Sequence, residues 1–496
     1  MRILLIYSNQ SREMEPAAPV GLSYVASATR AAGHTVHLLD LAFSLDLCGD
    51  LAQAILAFKP DVVGLSIRNI DNVISQRCVS PLADLQAQVA VIRSHARDSA
   101  GQPVPLVLGG PAISILAEQS LPLFGADYAV IGEGEVAMPA LLAAIESGRP
   151  LTDIPGLCFL QEGKPVRNRT QLLPGFERSG MQDFVAWKSY QRSGGTWPIQ
   201  SKRGCGMQCS YCAYPLIEGA KLRLRPPGEV VDEIEQVLRD ARPRTFEFVD
   251  STFNTPASHA IEICEEIIRR RVKASFTVMG LNPRDVPPEL FPTMKRAGFN
   301  SMLISPEAAN DTMLASLRKG FTMEHVRRCA DYARHSGLKS SWFFMLGGPG
   351  ETMETAEESI RFAETELTGR QFLSVFFNGI RILPGTELAR QALAEGYITA
   401  DTDLSTGVFY HSPRVSEQAL IDRVTLAFSR NPCIVHAADG AISDKQRRIF
   451  AMLDWIGIAP PYWRYLPDFL SLPTVHYLRN KYPSGLAAAR PAEQSG

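Results

Sequence analysis

The 496-residue sequence has no window of about 18 uninterrupted apolar residues, so it offers no candidate membrane-spanning helix. No leader is expected either. The opening Met-Arg-Ile-Leu-Leu-Ile-Tyr-Ser turns polar before reaching signal-peptide length, and a cytoplasmic protein is expected. No excess of one charge is present: 50 Lys and Arg face 52 Asp and Glu, a formal net charge of −2. That balance gives no electrostatic case for nucleic acid as a partner. The basic cluster Lys221–Leu222–Arg223–Leu224–Arg225 is short and reads as local. Ser8–Asn9–Gln10–Ser11–Arg12 follows the first predicted strand where a dinucleotide site would need G-x-G-x-x-G.

What is present is long enough for two to four domains, with 45% hydrophobic residues to build cores. Over residues 1–150, predicted strands at 2–7, 35–39, 61–67, 105–108 and 127–131 alternate with predicted helices. This α/β pattern implies a doubly wound, Rossmann-like parallel sheet, whose ligands sit beyond the carboxyl ends of the strands. Residues 151–195 read as a linker with a hairpin near 157–167. Residues 196–396 supply six further strand–helix units, near 197–202, 244–250, 274–279, 300–304, 340–346 and 373–381, and suggest a partial (β/α)6 barrel. Residues 397–496 are expected to form a small, mostly helical domain that caps the substrate, with a disordered tail.

Six of the nine cysteines stand alone and suit small buried hydrophobes. The other three, Cys205, Cys209 and Cys212, fall in Arg-Gly-Cys-Gly-Met-Gln-Cys-Ser-Tyr-Cys-Ala-Tyr, spaced C-x-x-x-C-x-x-C just after a predicted strand. Thiolates are natural ligands for iron–sulfur clusters, and close spacing lets one loop wrap a compact cluster. Three ligands leave one iron of a four-iron cluster open to a substrate or cofactor, by the logic of an open catalytic zinc site. Zinc itself would need a fourth protein ligand, and the closest histidine is His259.

This motif after the first strand of a partial barrel resembles the radical S-adenosylmethionine (SAM) superfamily. The resemblance implies a 4Fe–4S cluster whose open iron binds SAM, and reductive cleavage to a 5′-deoxyadenosyl radical. It also implies SAM contacts from Tyr211 in the cluster motif and from Asp250, Ser305, Glu307, Gly347, Gly348, Pro349 and Arg381, which lie at or just beyond the ends of the predicted strands. Leu317–Arg318–Lys319–Gly320 follows as in many members.

Residues 1–150 resemble the cobalamin-binding domain of the B12-dependent class of that superfamily. The implied contacts are Val20, Gly21, Ser66, Arg68, Asn69, Gly109, Gly110, Pro111, Glu133, Gly134 and Glu135. The D-x-H-x-x-G motif that ligates cobalt from below in many B12 domains is missing, and His34 and His37 sit around the second strand instead. Cobalt is therefore expected to lack a His ligand, with Arg68 a candidate near its lower face. Glu133 and Glu135 suit loop capping or cofactor amides better than acid–base work. His411, His436 and the aromatic run Tyr462–Trp463–Arg464–Tyr465 are minor candidates for a substrate pocket.

The resulting expectation is a cobalamin-dependent radical SAM methyltransferase. It would move a methyl group from methylcobalamin to an unactivated carbon of a small molecule, with electrons from flavodoxin or ferredoxin. The rivals are a cobalamin-containing enzyme that cyclises, oxidises or rearranges, an enzyme whose first domain binds no B12, and a non-catalytic iron–sulfur sensor or scaffold.

Overall fold

The computed structural model describes residues 1–9 and 15–470. Its first sheet contains β1 (Arg2–Tyr7), β2 (Thr35–Asp40), β3 (Val62–Ser66), β4 (Leu106–Gly109), β5 (Tyr128–Val130), β6 (Leu157–Gln161) and β7 (Lys164–Arg167). The strand order is β2-β1-β3-β4-β5-β6-β7, with the first five parallel. Alternate residues serve opposite faces. Leu4, Ile6, Val63 and Leu65 pack under the helices Leu47–Phe58, Leu82–His95 and Pro111–Phe124. Ile3, Leu5 and Val62 pack under Val20–Ala31 and Gly134–Ser147. Both faces are covered, which is why the strands read as continuous apolar runs. The winding order of the strands reverses between the parallel β1 and β3, so the binding crevice of a doubly wound sheet falls at Ser8 and Ser66. The hairpin expected near 157–167 is β6–β7, and it extends this sheet antiparallel through β5.

The second unit contains β8 (Trp197–Ile199), β9 (Lys202–Arg203), β10 (Arg223–Leu224), β11 (Phe246–Phe248), β12 (Phe276–Val278), β13 (Ser301–Glu307), β14 (Lys339–Leu346), β15 (Phe372–Asn378), β16 (Ile380–Arg381), β17 (Phe409–Tyr410) and β18 (Ile434–His436). Parallel β8-β11-β12 and β13-β14-β15-β18 are joined by bridges between Phe276 and Phe299 and between Leu281 and Ile304, giving one curved open barrel. The six expected strands are there, and β18 makes a seventh. It comes from the region read as a cap, because Ile-Val-His is too short to show a period. Outward rings of Phe246, Phe248, Phe276 and Phe299 stack beneath the helices. Arg244 pairs with Asp454 at 2.7 Å and ties the late helix Asp444–Trp455 to the barrel. The expected disordered tail lies outside the described residues.

Candidate active site

The cluster motif occupies the loop after β9. Asp250, just beyond β11, shapes its approach: the carboxylate accepts Ser201 N–H at 2.7 Å, the Ser201 hydroxyl at 2.5 Å and Lys202 N–H at 3.1 Å. Those bonds make Asp250, an expected SAM contact, a residue that positions the chain entering the loop. Gly204 adopts φ +89° with the Lys221 carbonyl against it, a turn that only glycine makes without strain. Cys205 is buried, with its sulfur 3.9 Å from the Thr252 hydroxyl. Burial raises the Cys209 thiol and pushes Cys212 up to about 12. Iron would reverse that trend by stabilising thiolates. Among the described residues, no three His, Cys, Asp or Glu side chains converge as ligands for a single metal ion. The local donors are three thiols spread along one loop, which suit a cluster of several irons better than zinc.

Next to the loop, the Tyr211 hydroxyl donates to Glu307 at 3.2 Å and receives a bond from Lys319 at 3.1 Å. Lys319 also lies 3.7 Å from the Glu307 carboxylate. Burial raises Glu307, and Lys319 opposes that rise. Glu307 reaches this position because β13 slips register against β14 between Ile304 and Glu307, and Glu307 itself adopts φ +68°. A bulge of this kind re-aims one side chain at a strand end. Ser305 stands two residues earlier on the same strand.

After β14, Gly347 and Gly348 both donate backbone N–H to Glu351, at 2.5 and 3.1 Å. A Cβ on Gly348 would press on Met313 and Ile380, so this glycine serves close packing. Burial pushes Glu351 up to about 7. Arg381, an expected SAM contact, ends the strand Ile380–Arg381. Its guanidinium pairs with Asp71 at 2.6 Å and bonds the carbonyls of Leu404, Ile382 and Val408. Those bonds make it a clamp between the two units.

The cobalamin candidates divide. Ser66, Arg68 and Asn69 stand at the β3 end, and Arg68 has no hydrogen-bond partner among the described residues. A Cβ on Gly21 or Gly109 would meet open space, so a large flat group can approach there. Val20 and Pro111 open the helices beside them. These residues fit a corrin. Gly110 does not open outward: at φ +99° its missing Cβ leaves room for the Ile67 carbonyl. Glu133 pairs with Arg203 and Arg223, Glu135 pairs with Arg203 at 2.6 Å, and Gly134 packs on Val25. Glu133 and Glu135, expected cobalamin contacts, thus join the two units, while Gly134 packs within the first domain. His34 contacts the N-terminus and His37 stacks on Phe58, both away from the strand ends. His411 bonds Ser75 at 3.0 Å, and His436 caps the turn at Ala438.

Sequence reading assigned no role to Lys319, Arg203, Asp71 or Glu351. Lys319 was in a quoted motif, and Arg203 directly precedes the cluster loop. Asp71 meets Arg381 across 310 positions, which no local pattern reveals.

The family model for the radical SAM superfamily matches residues 199–363, and that for the B12 binding domain matches residues 15–142. The chain is a radical SAM protein. With its N-terminal domain, it belongs to the cobalamin-dependent branch of that superfamily. An uncharacterized methyltransferase of Pyrococcus horikoshii is 27% identical over 390 residues, covering 77% of this chain and 79% of that protein. The tryptophan 2-C-methyltransferase of Streptomyces laurentii is 26% identical over 467 residues, covering 79% and 74%. An anaerobic magnesium-protoporphyrin IX monomethyl ester cyclase of Rubrivivax gelatinosus is 26% identical, covering 73% and 65%. In fold, the chain resembles the radical SAM methyltransferase TsrM of Kitasatospora setae, solved with cobalamin and a 4Fe–4S cluster, at TM-score 0.79 and 22% identity over 97% of this chain and 99% of that one.

Proposed function

We propose that this protein is a cobalamin-dependent radical SAM methyltransferase acting on a carbon of a small-molecule substrate. One observation carries the reading: the cluster loop and the cobalamin strand ends adjoin. The helix Tyr214–Glu218, which begins two residues after Cys212, rests on the first domain, where a Cβ on Gly132 would lie 3.3 Å from the Ile217 carbonyl. Relatives named as methyltransferases support the same reading.

When bound, the cluster would supply the electron that cleaves SAM, and cobalamin would carry the methyl group. Cys205, Cys209 and Cys212 would hold the cluster, with Cys205 buried and the other two partly exposed. Tyr211, Glu307 and Lys319 form a fixed polar triad beside it for the polar groups of SAM, with Ser305 below. The Gly347–Gly350 turn, held by Glu351, gives a close backbone wall. Arg68, Gly109 and Gly21 receive the corrin. Flavodoxin or ferredoxin supplies electrons, and the protein works in the cytoplasm. No described helix is long and apolar enough to cross a membrane.

The relation to a cyclase favours a second outcome, radical chemistry without methyl transfer. Methyl-labelled SAM and candidate substrates separate the two. Labelled product supports methyl transfer. Unlabelled product formed together with 5′-deoxyadenosine supports the second outcome.

A further inference from the structure

The inner wall of the barrel is open. Outward residues of the strands, such as Phe248, Ile304, Trp342, Phe344 and Phe376, have no exposed surface. The inward residues between them, Glu247, Leu303, Phe343, Met345, Val375 and Phe377, stay partly exposed. A closed barrel fills its interior with packed side chains; here the same positions line a lumen. Phe343 and Phe377 lie diagonally across adjacent strands, their ring centres 6.2 Å apart.

One carboxylate in this wall has no bonded counter-charge among the described residues. Glu247, at the middle of β11, accepts a bond from the Thr196 hydroxyl at 2.8 Å and forms no ion pair among the described residues. The other inward carboxylate, Glu307, has both Lys319 and Tyr211. An enclosed carboxylate with no cation bonded to it is costly unless it is protonated or a ligand pairs with it. Burial pushes Glu247 up to about 7, and its negative charge helps raise Glu15 of the first domain to about 8. The guanidinium of Arg68 acts on Glu247 in the opposite sense but bonds to neither carboxylate.

We propose that the lumen binds a substrate with an apolar, ring-bearing body and a positively charged nitrogen, and that Glu247 selects the nitrogen. This rests on the reading of the barrel as the substrate-binding half of the site. Phe343, Phe377 and Val375 contact the body, while Thr196 orients the carboxylate.

Equilibrium dialysis of the full-length, cluster- and cobalamin-loaded protein tests this with three probes of one shape: tryptamine, 3-ethylindole and indole-3-propionate. Tryptamine is expected to bind at least about tenfold tighter than 3-ethylindole, the size of one charge-assisted hydrogen bond, with indole-3-propionate weakest. Glu247→Gln should reduce tryptamine to the 3-ethylindole level, leaving 3-ethylindole binding and the cluster spectrum unchanged. Thr196→Val, which frees the carboxylate without removing it, should give an intermediate loss. Absence of tryptamine binding, equal binding of the three probes, preference for the anion, or a preference that survives Glu247→Gln overturns the proposal. The readout is binding, so a protein that discriminates these probes but methylates nothing keeps this inference and loses the methyl-transfer reading.

Discussion

Glu307 and Glu351 show how single residues are held for use. Glu307 adopts φ +68°, a conformation that costs a non-glycine residue of order 1–3 kcal/mol, and the bulge in β13 together with Lys319 and Tyr211 maintains it. Glu351 is buried with one oxygen on two backbone N–H groups and the other unpartnered. Its pKa in the folded protein, about 7, lies above its ordinary value. The folded state therefore binds this proton more tightly than the unfolded state, and its stabilising effect fades as pH rises from the ordinary carboxyl range to about 7. Glu351→Gln keeps an oxygen for the two N–H groups and cannot ionise. Its stability relative to wild type, from urea unfolding, should rise with pH across that window by roughly 1–3 kcal/mol. A pH-independent difference would contradict the assignment. Gly109 supplies a second residue-scale prediction. Gly109→Leu adds a side chain where nothing lies within 4 Å, so the fold and cluster should survive while cobalamin retention on gel filtration is lost.

At the scale of elements, the joint between the units depends on a few buried contacts. Arg203, one residue before the turn into the cluster loop, lies between the rings of Tyr24 and Phe176 at 4.6 and 4.3 Å and pairs with Glu135. On the other side, the loop after β3 meets the barrel through Asp71–Arg381, Ser75–His411 and Gln76–Glu417. A double-mutant cycle on Asp71→Ala and Arg381→Ala should give a coupling of about 2 kcal/mol, because each single change leaves a buried charge unpaired. Additive effects would show that the contact does not join the domains. These joints were the least legible part of the sequence. The strands were readable because β1, β3 and β14 carry long apolar or alternating runs. The cysteine spacing was readable because all three ligands sit in one loop. The ion pairs of Arg381, Glu133 and Glu135 were not readable, because a charged residue at a strand end looks the same in sequence whether it meets a cofactor or a distant partner. The strand Ile434–His436 was missed because three residues carry no period.

At the scale of the molecule, a doubly wound sheet and an open barrel face each other through their strand ends, where each fold keeps its ligands. The family models cover these two parts separately, and the fold likeness to TsrM spans 97% of the chain. Joining the two sites lets one cofactor hold a methyl group while the other generates a radical beside it. The decisive measurement needs no substrate. Full-length protein reconstituted with iron, sulfide and hydroxocobalamin is reduced and mixed with methyl-labelled SAM, and S-adenosylhomocysteine and protein-bound label are followed. Label should move onto cobalamin with matching S-adenosylhomocysteine, and Gly109→Leu should abolish both. A protein that takes up the cluster but neither binds cobalamin nor forms S-adenosylhomocysteine would contradict the methyltransferase reading.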